Sequence, residues 1–417
     1  MSTEFFKVNG VNVANIKNDS DNVFFGIGVL AGSNYETPEQ AGISHFAEHM
    51  FFKGTTTRNW KDINQEFAKL GVSPNAYTSH NQVLYYSTAP KENIGGVVEL
   101  MMDMMFNSTY PTDELEKERG VILEEKKMYE DNPSQDFVNK MLEEMFVWQK
   151  GHNTIGTNKV IENVTREDIK AFLEDRINLG NLMLICSGNV ETEDLKKYLS
   201  ANIPSEHPYL TEGDKNEMSE EFWSNACDSP DRVKFLLERD NIQQSTVNMV
   251  MDALSVYDSD YMISQIVTSA IGGGMYSTLF SKIREEMGLC YSVSMSQYAL
   301  GYPEDNLVWL SGSMATENVT LFMDECEKVI NDVKENGIDQ DLFECAKTDT
   351  LASMYRSTET SSGKARELFA QYLDGNRDGL EKTIEDIKAV TIEDCNRVAK
   401  RLFFDNQFNW SVMNPKV

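Results

Sequence analysis

The chain has 417 residues, 41% hydrophobic and 10% aromatic, which is enough apolar surface for packed interiors and too much length for one ordinary core. Asp and Glu number 67 against 38 Lys and Arg, and the resulting net charge of −29 would repel a phosphate backbone, so nucleic acid is not expected as a partner. Apolar stretches such as Leu182-Met183-Leu184-Ile185-Cys186 fall far short of the roughly 20 residues that cross a bilayer, so no membrane span is expected. The opening Met1-Ser2-Thr3-Glu4-Phe5-Phe6-Lys7 has the pattern of neither a secretory signal nor a transit peptide. The six cysteines contain no Cys-x-x-Cys pair and read as reduced thiols, which points to the cytoplasm or another reducing compartment.

The first half alternates strands and helices. Val23 to Leu30 is an apolar strand closed by the turn residues Gly32-Ser33-Asn34. A helix is expected to begin after Thr37-Pro38, where a hydroxyl cap and a first-turn proline are favourable, and to stop near Gly54. Val83 to Thr88 has strand composition, and a long helix opens behind Pro111 with Thr112-Asp113-Glu114 and runs to about Asn132-Pro133. Leu182 to Cys186 is a further strand, followed by a short helix after Thr192. From about 204 to 230 the composition turns polar and irregular, so the expected division is a domain over 1–205, a linker over 206–230 and a second domain over 231–417. The second half repeats the rhythm, with strands at Ser245 to Val250 and Leu307 to Ser311 and helices at Tyr261 to Ile271 and Thr278 to Met287.

The chemistry concentrates in His45-Phe46-Ala47-Glu48-His49. On a helix this spacing projects two imidazoles and a carboxylate from one face. A catalytic zinc site usually takes three protein ligands and keeps one position for water, so a third ligand must come from elsewhere. Glu125, on the long helix, is the candidate. Glu118 lies two turns before it on the same face, about 10 Å along the axis, too far to share the ion and suited to a supporting role. Zinc would acidify a bound water, Glu48 would take its proton, and the nucleophile so formed would attack a peptide carbonyl. His80, His152 and His207 have no comparable spacing and read as structural or surface residues.

The segment from Gly32 through His45-Phe46-Ala47-Glu48-His49 to Thr55 closely resembles the pitrilysin, insulinase and mitochondrial processing peptidase family of inverted-zincin metallopeptidases. The likeness continues at Asn75 to Ser79, Glu118 to Glu125, Asp131-Asn132-Pro133, and Gly272-Gly273-Gly274-Met275 through Arg284 and Tyr291. It implies an α+β fold of two similar domains, each an antiparallel sheet packed with helices, arranged as a clamshell. The first would be the zinc-binding catalytic domain and the second would close the chamber.

The resemblance also implies one zinc ion per chain held by His45, His49 and Glu125, with Glu48 as base and Glu118 as supporting carboxylate. Asn75-Ala76-Tyr77-Thr78 would be an edge strand pairing with an extended substrate. Arg284 and Tyr291 would close over the scissile bond from the second domain, supplied across a homodimer in short members. Val72, Pro74, His80 and Thr278 depart from the common family pattern, which bears on substrate preference rather than on the metal site. The expected substrate is an unstructured peptide, with basic peptides drawn to an acidic chamber. Two other classes compete: a non-catalytic scaffold subunit, against which the intact motif argues, and a peptide-binding regulator with structural zinc, for which no fourth ligand is apparent.

Overall fold

A computed structural model of the chain describes residues 2–214, 223–300, 306–373, 379–404 and 407–416. The chain forms two compact units, and neither is a contiguous stretch. The first comprises Met1–Glu130, Trp148–Glu220 and Ser357–Leu373; the second comprises Asp131–Val147, Glu221–Arg356 and Asp374–Val417.

In the first unit six strands, β1 (Ser2–Val8), β2 (Val11–Lys17), β3 (Asn22–Val29), β4 (Asn75–Thr78), β5 (Val83–Pro90) and β6 (Leu182–Gly188), form one sheet in the order β1-β2-β6-β3-β5-β4. All neighbours are antiparallel except β2 and β6. Its helices are α1 (Ile43–Met50), α2 (Trp60–Lys69), α3 (Ile94–Asn107) and α4 (Thr112–Asp131). After α5 (Pro133–Met145), which belongs to the second unit, come α6 (Trp148–Gly151), α7 (Asn158–Asn163), α8 (Arg166–Arg176) and α9 (Thr192–Asn202).

The strand period of two divides β3 between two cores. Val23, Phe25, Ile27 and Val29 pack with Phe46, Ala47 and Met50 of α1 and with Val97, Val98 and Met101 of α3. Phe24 faces the other way and joins Ile16, Leu84, Met183 and Ile185.

The second unit holds β7 (Val233–Arg239), β8 (Ser245–Asp252), β9 (Cys290–Ala299), β10 (Asn306–Met314) and β11 (Asn409–Pro415), in the order β7-β11-β8-β10-β9. Here β7 and β11 are the parallel pair and the other neighbours are antiparallel. Around them lie α10 (Tyr261–Gly272), a π-helix (Phe280–Glu286), α11 (Val319–Asn336), α12 (Gln340–Ser357), α14 (Gly379–Ala389) and α15 (Ile392–Leu402). Helix α13 (Ser361–Leu373) belongs to the first unit, where Ala365, Leu368 and Phe369 cover the face that carries Phe24. Gly28 makes room for it, since a Cβ there would lie 2.0 Å from Phe369 Cζ. Reciprocally, Met141, Leu142 and Met145 of α5 cover Val250 and Leu307 of the second sheet.

Strand for strand, β2 to β6 and β7 to β11 follow the same topology, so the two units are repeats of one α+β architecture. Helices α1 and α10 fall between corresponding strands, as do α3 and α11, each opened by a single 3-10 turn. The expected helix from Thr37 to Gly54 is shorter. Thr37 and Gln40 do form a capping box, but on a 3-10 turn (Pro38–Gln40), and the chain then breaks at Gly42, whose φ is +97°. A side chain there would also meet Ile155 O at 2.5 Å, so a glycine is required on both counts. The expected α-helix over Thr278 to Met287 is the π-helix, with Met287 N donating five residues back to Lys282 O at 3.1 Å. Of the linker, 215–222 lie outside the described residues; around them the chain makes the short turns Pro208–Leu210 and Asn225–Asp228.

Candidate metal centre

Helix α1 is buried along Ile43, Phe46, Ala47 and Met50, which turns His45, Glu48 and His49 to the opposite, half-buried face. Helix α4 lies alongside, with Leu115 and Ile122 buried and Glu118 and Glu125 one heptad apart. It is tied down by Arg119, which donates to the carbonyls of Ile161 and Val164, and by Lys126, whose Nζ lies 2.9 Å from Gly156 O. These two cations also stand one heptad apart, each following a carboxylate, so their anchorage fixes the presentation of the carboxylates.

The two helices bring together His45, His49 and Glu125, whose donor atoms all lie within 4.8 Å of one another. Glu125 Oε2 is 3.7 Å from His45 Nε2 and 3.4 Å from His49 Nε2. Ligands each about 2.0–2.1 Å from a tetrahedral zinc stand about 3.3 Å apart, so this donor set fits that ion. The opposite nitrogen of His49, Nδ1, lies 3.1 Å from Glu118 Oε2, while Lys53 Nζ sits 2.6 Å from Glu118 Oε1. Both Glu118 oxygens are thereby engaged. A proton held on Nδ1 leaves the Nε2 lone pair free for a metal. Thr78 Oγ1 donates to Glu48 Oε2 at 2.8 Å, joining the helix carboxylate to strand β4.

The electrostatics separate the two imidazoles. Burial, then the neighbouring His49, pushes His45 down to about 4. Burial also opposes charge on His49, but hydrogen bonds to Glu118 and Glu125 outweigh it and hold that imidazole up at about 9. Burial raises the Glu48 carboxyl above its ordinary range, the Thr78 hydrogen bond only partly offsetting it. Glu125 is held low, first by its hydrogen bond with His49.

Of the remaining sequence candidates, Asn75, Ala76, Tyr77 and Thr78 form β4, which ends the strand order as an edge, and Thr78 is the member that contacts the helix carboxylate. Arg284 and Tyr291 lie together on the second unit, the guanidinium 5.4 Å from the Tyr291 ring centroid, and Tyr291 is 81% exposed. His152 is buried against Glu36, His80 Nδ1 meets Ser33 Oγ at 3.3 Å, and His207 accepts from the Tyr209 amide. Sequence reasoning missed Tyr129 and Lys53. The Tyr129 phenol, one turn further along α4, helps hold the Glu125 carboxyl low, a spacing of four that was readable once Glu125 was chosen.

Comparison with known proteins agrees with this geometry. Residues 12–158 match the model described as Insulinase (Peptidase family M16), and residues 163–349 match that of the Peptidase M16 inactive domain. An uncharacterised zinc protease of Rickettsia bellii is 30% identical over 375 residues, covering 89% of this chain and 87% of that protein. The chain belongs to peptidase family M16. An uncharacterised zinc protease of Bacillus subtilis is 27% identical over 406 residues, 95% of each chain. The crystal structure of a peptidase M16 inactive domain from Pseudomonas fluorescens shares the fold, with a TM-score of 0.87 at 16% identity over 100% of this chain and 99% of that one. As an M16 member of the two-domain type, the protein is a zinc metallopeptidase. Its helix pair α1 and α4 falls within the first matched segment, and Arg284 and Tyr291 fall within the second.

Proposed function

We propose that this M16 peptidase is an endopeptidase that hydrolyses unstructured peptides in a closed chamber, with one zinc ion per chain on His45, His49 and Glu125. The observation that carries the reading is the convergence of those three donors within 4.8 Å beside Glu48, itself held by the edge strand. Bound zinc would supply a Lewis acid that acidifies water and polarises the peptide carbonyl. Glu48 takes the proton of the attacking water and returns it to the leaving amine; its raised pKa suits a group that must do both near neutral pH. Thr78 fixes the Glu48 carboxylate from β4, so substrate paired with that edge runs beside the base. Glu118 and Lys53 hold the His49 tautomer, and Tyr129 steadies Glu125. Arg284 and Tyr291 act from the second unit on the substrate carbonyl and the developing oxyanion, within a homodimer.

The test is cleavage of an internally quenched, unstructured basic peptide by zinc-loaded protein, alongside Glu48→Gln with its zinc content measured. Turnover by the wild type but not by the zinc-loaded variant supports the mechanism, whereas failure of both across a varied peptide library moves a scaffold role ahead. The net charge of −29 further supports a preference for basic peptides that fades as salt is added. Equal, salt-independent turnover of acidic and basic peptides would remove that part of the proposal. Among the described residues no helix is long and apolar enough to cross a membrane.

A further inference from the structure

Glu36 takes no part in the chemistry set out above, yet its side chain is fully buried at 0% exposure. A carboxylate in such a place is costly unless its oxygens are matched by donors. Here Oε2 accepts from the Gly42 amide at 2.7 Å and Oε1 from the Ser44 amide at 2.8 Å. His152 Nε2 also donates to Oε2 at 3.0 Å. The imidazole is itself fixed, with Nδ1 2.8 Å from the Trp148 carbonyl and its ring stacked on that of Trp148 at 4.0 Å.

Gly42 is the N-cap of α1 and has no side chain with which to cap it. The carboxylate that does so reaches in from Glu36 and grips the amides on either side of Ile43, immediately before His45. Negative charge at that end of the helix is also favoured by its dipole. The segment that orders His152 braces both metal-bearing helices. Thr157 N donates to Ala41 O at 3.3 Å just ahead of α1, and Gly156 O receives Lys126, the neighbour of Glu125 on α4.

We propose that Glu36, locked by His152, is a positioning residue of the peptidase: it sets the direction of α1 and so holds both imidazole Nε2 atoms in register with Glu125. At eight residues, α1 is too short to be rigid through its own hydrogen bonds. The proposal rests on the metallopeptidase reading of the site.

The test measures zinc affinity by chelator competition, the visible spectrum of the cobalt(II)-substituted protein, Tm, and kcat against KM. The proteins compared are the wild type, Glu36→Gln, His152→Gln and Thr165→Ala. Glu36→Gln sets an amide group against the backbone and imidazole donors. It is expected to weaken zinc binding about 10–100-fold, to shift the cobalt spectrum and to lower kcat with little change in KM. His152→Gln should move the same readouts in the same direction by less, and it decides the matter if Glu36→Gln does not fold. Thr165→Ala removes the capping box of α8 in the same unit and should lower Tm with zinc affinity and spectrum unchanged. Wild-type zinc affinity and cobalt spectrum in both Glu36→Gln and His152→Gln, whatever their Tm, would overturn the positioning role. Absence of zinc binding by the wild type would instead overturn the metal reading beneath it.

Discussion

Helices α1 and α10 hold the same place in the two repeated units, each between a central strand and the edge strand of its sheet, and they are built from opposite materials. Helix α10 buries Ile266, Val267, Ala270 and Ile271 and contains no histidine or carboxylate. Its polar side chains find partners within the helix, on β9 or on the segment just after the helix: Thr268 donates to the Ser264 carbonyl, Ser264 to that of Tyr261, Gln297 to the Ser264 hydroxyl, and Ser269 pairs with the Tyr276 hydroxyl. Helix α1 leaves His45 Nδ1 and Ser44 Oγ buried without hydrogen-bond partners, whereas no described side chain of α10 does so. This scaffold position is thus comfortably filled by a mainly apolar helix. The polar set on α1 is therefore a local departure from good packing, sustained by α4, Glu36 and, on our reading, a metal ion.

Glu48→Gln should lower kcat about 10³-fold while zinc is retained, as stopped-flow or fluorescence assays with metal analysis will show. Glu118→Gln, which loses one of the two charges on the Nδ1 side of His49, should weaken zinc binding about 10–100-fold in chelator competition.

Zinc binding should also depend on pH with a definite sign. In the metal-free site His45, at about 4, is neutral at pH 7, while His49, at about 9, carries a proton that the metal must displace. Calorimetry in buffers of different ionisation enthalpy should register about one proton released, and affinity should rise about tenfold per pH unit from 7 towards 9 before levelling. Proton release near zero would mean that the two imidazoles are not separated as the geometry implies. The smallest effect on the metal is expected from the other unit. Ile271→Ala in α10 should cost about 2–5 kcal/mol in denaturant unfolding and leave zinc affinity unchanged.

The elements with strong local signals were legible in the sequence: β3 and β6 as apolar runs bounded by turns, α4 by its proline and acidic first turn, and the imidazole pair by its spacing. The metal-bearing helix was read too long because Thr37 and Pro38 form a true start signal that is spent on a single 3-10 turn before Gly42 resets the chain. The π-helix has the composition of an α-helix, so its wider winding around Arg284 left no local mark. Glu36 stood in the segment that carries the family likeness, but its role depends on His152, which lies 116 residues away, and no periodicity reports such a contact. The repeat was faint in residue identity and becomes plain in strand order, because a sheet preserves its connections after its side chains have diverged.

The reciprocal use of α5 and α13 has a bearing on how the chain is made. All six strands of the first sheet have been made once Gly188 is synthesised, but the helix that covers Ile16, Phe24, Leu84, Met183 and Ile185 does not begin until Ser361. For the whole interval a broad apolar face waits for its cover, a state that invites misassembly or a chaperone. A break in the chain between 204 and 230 would accordingly give a nicked protein rather than two independent halves, since each piece would still hold a helix that the other requires.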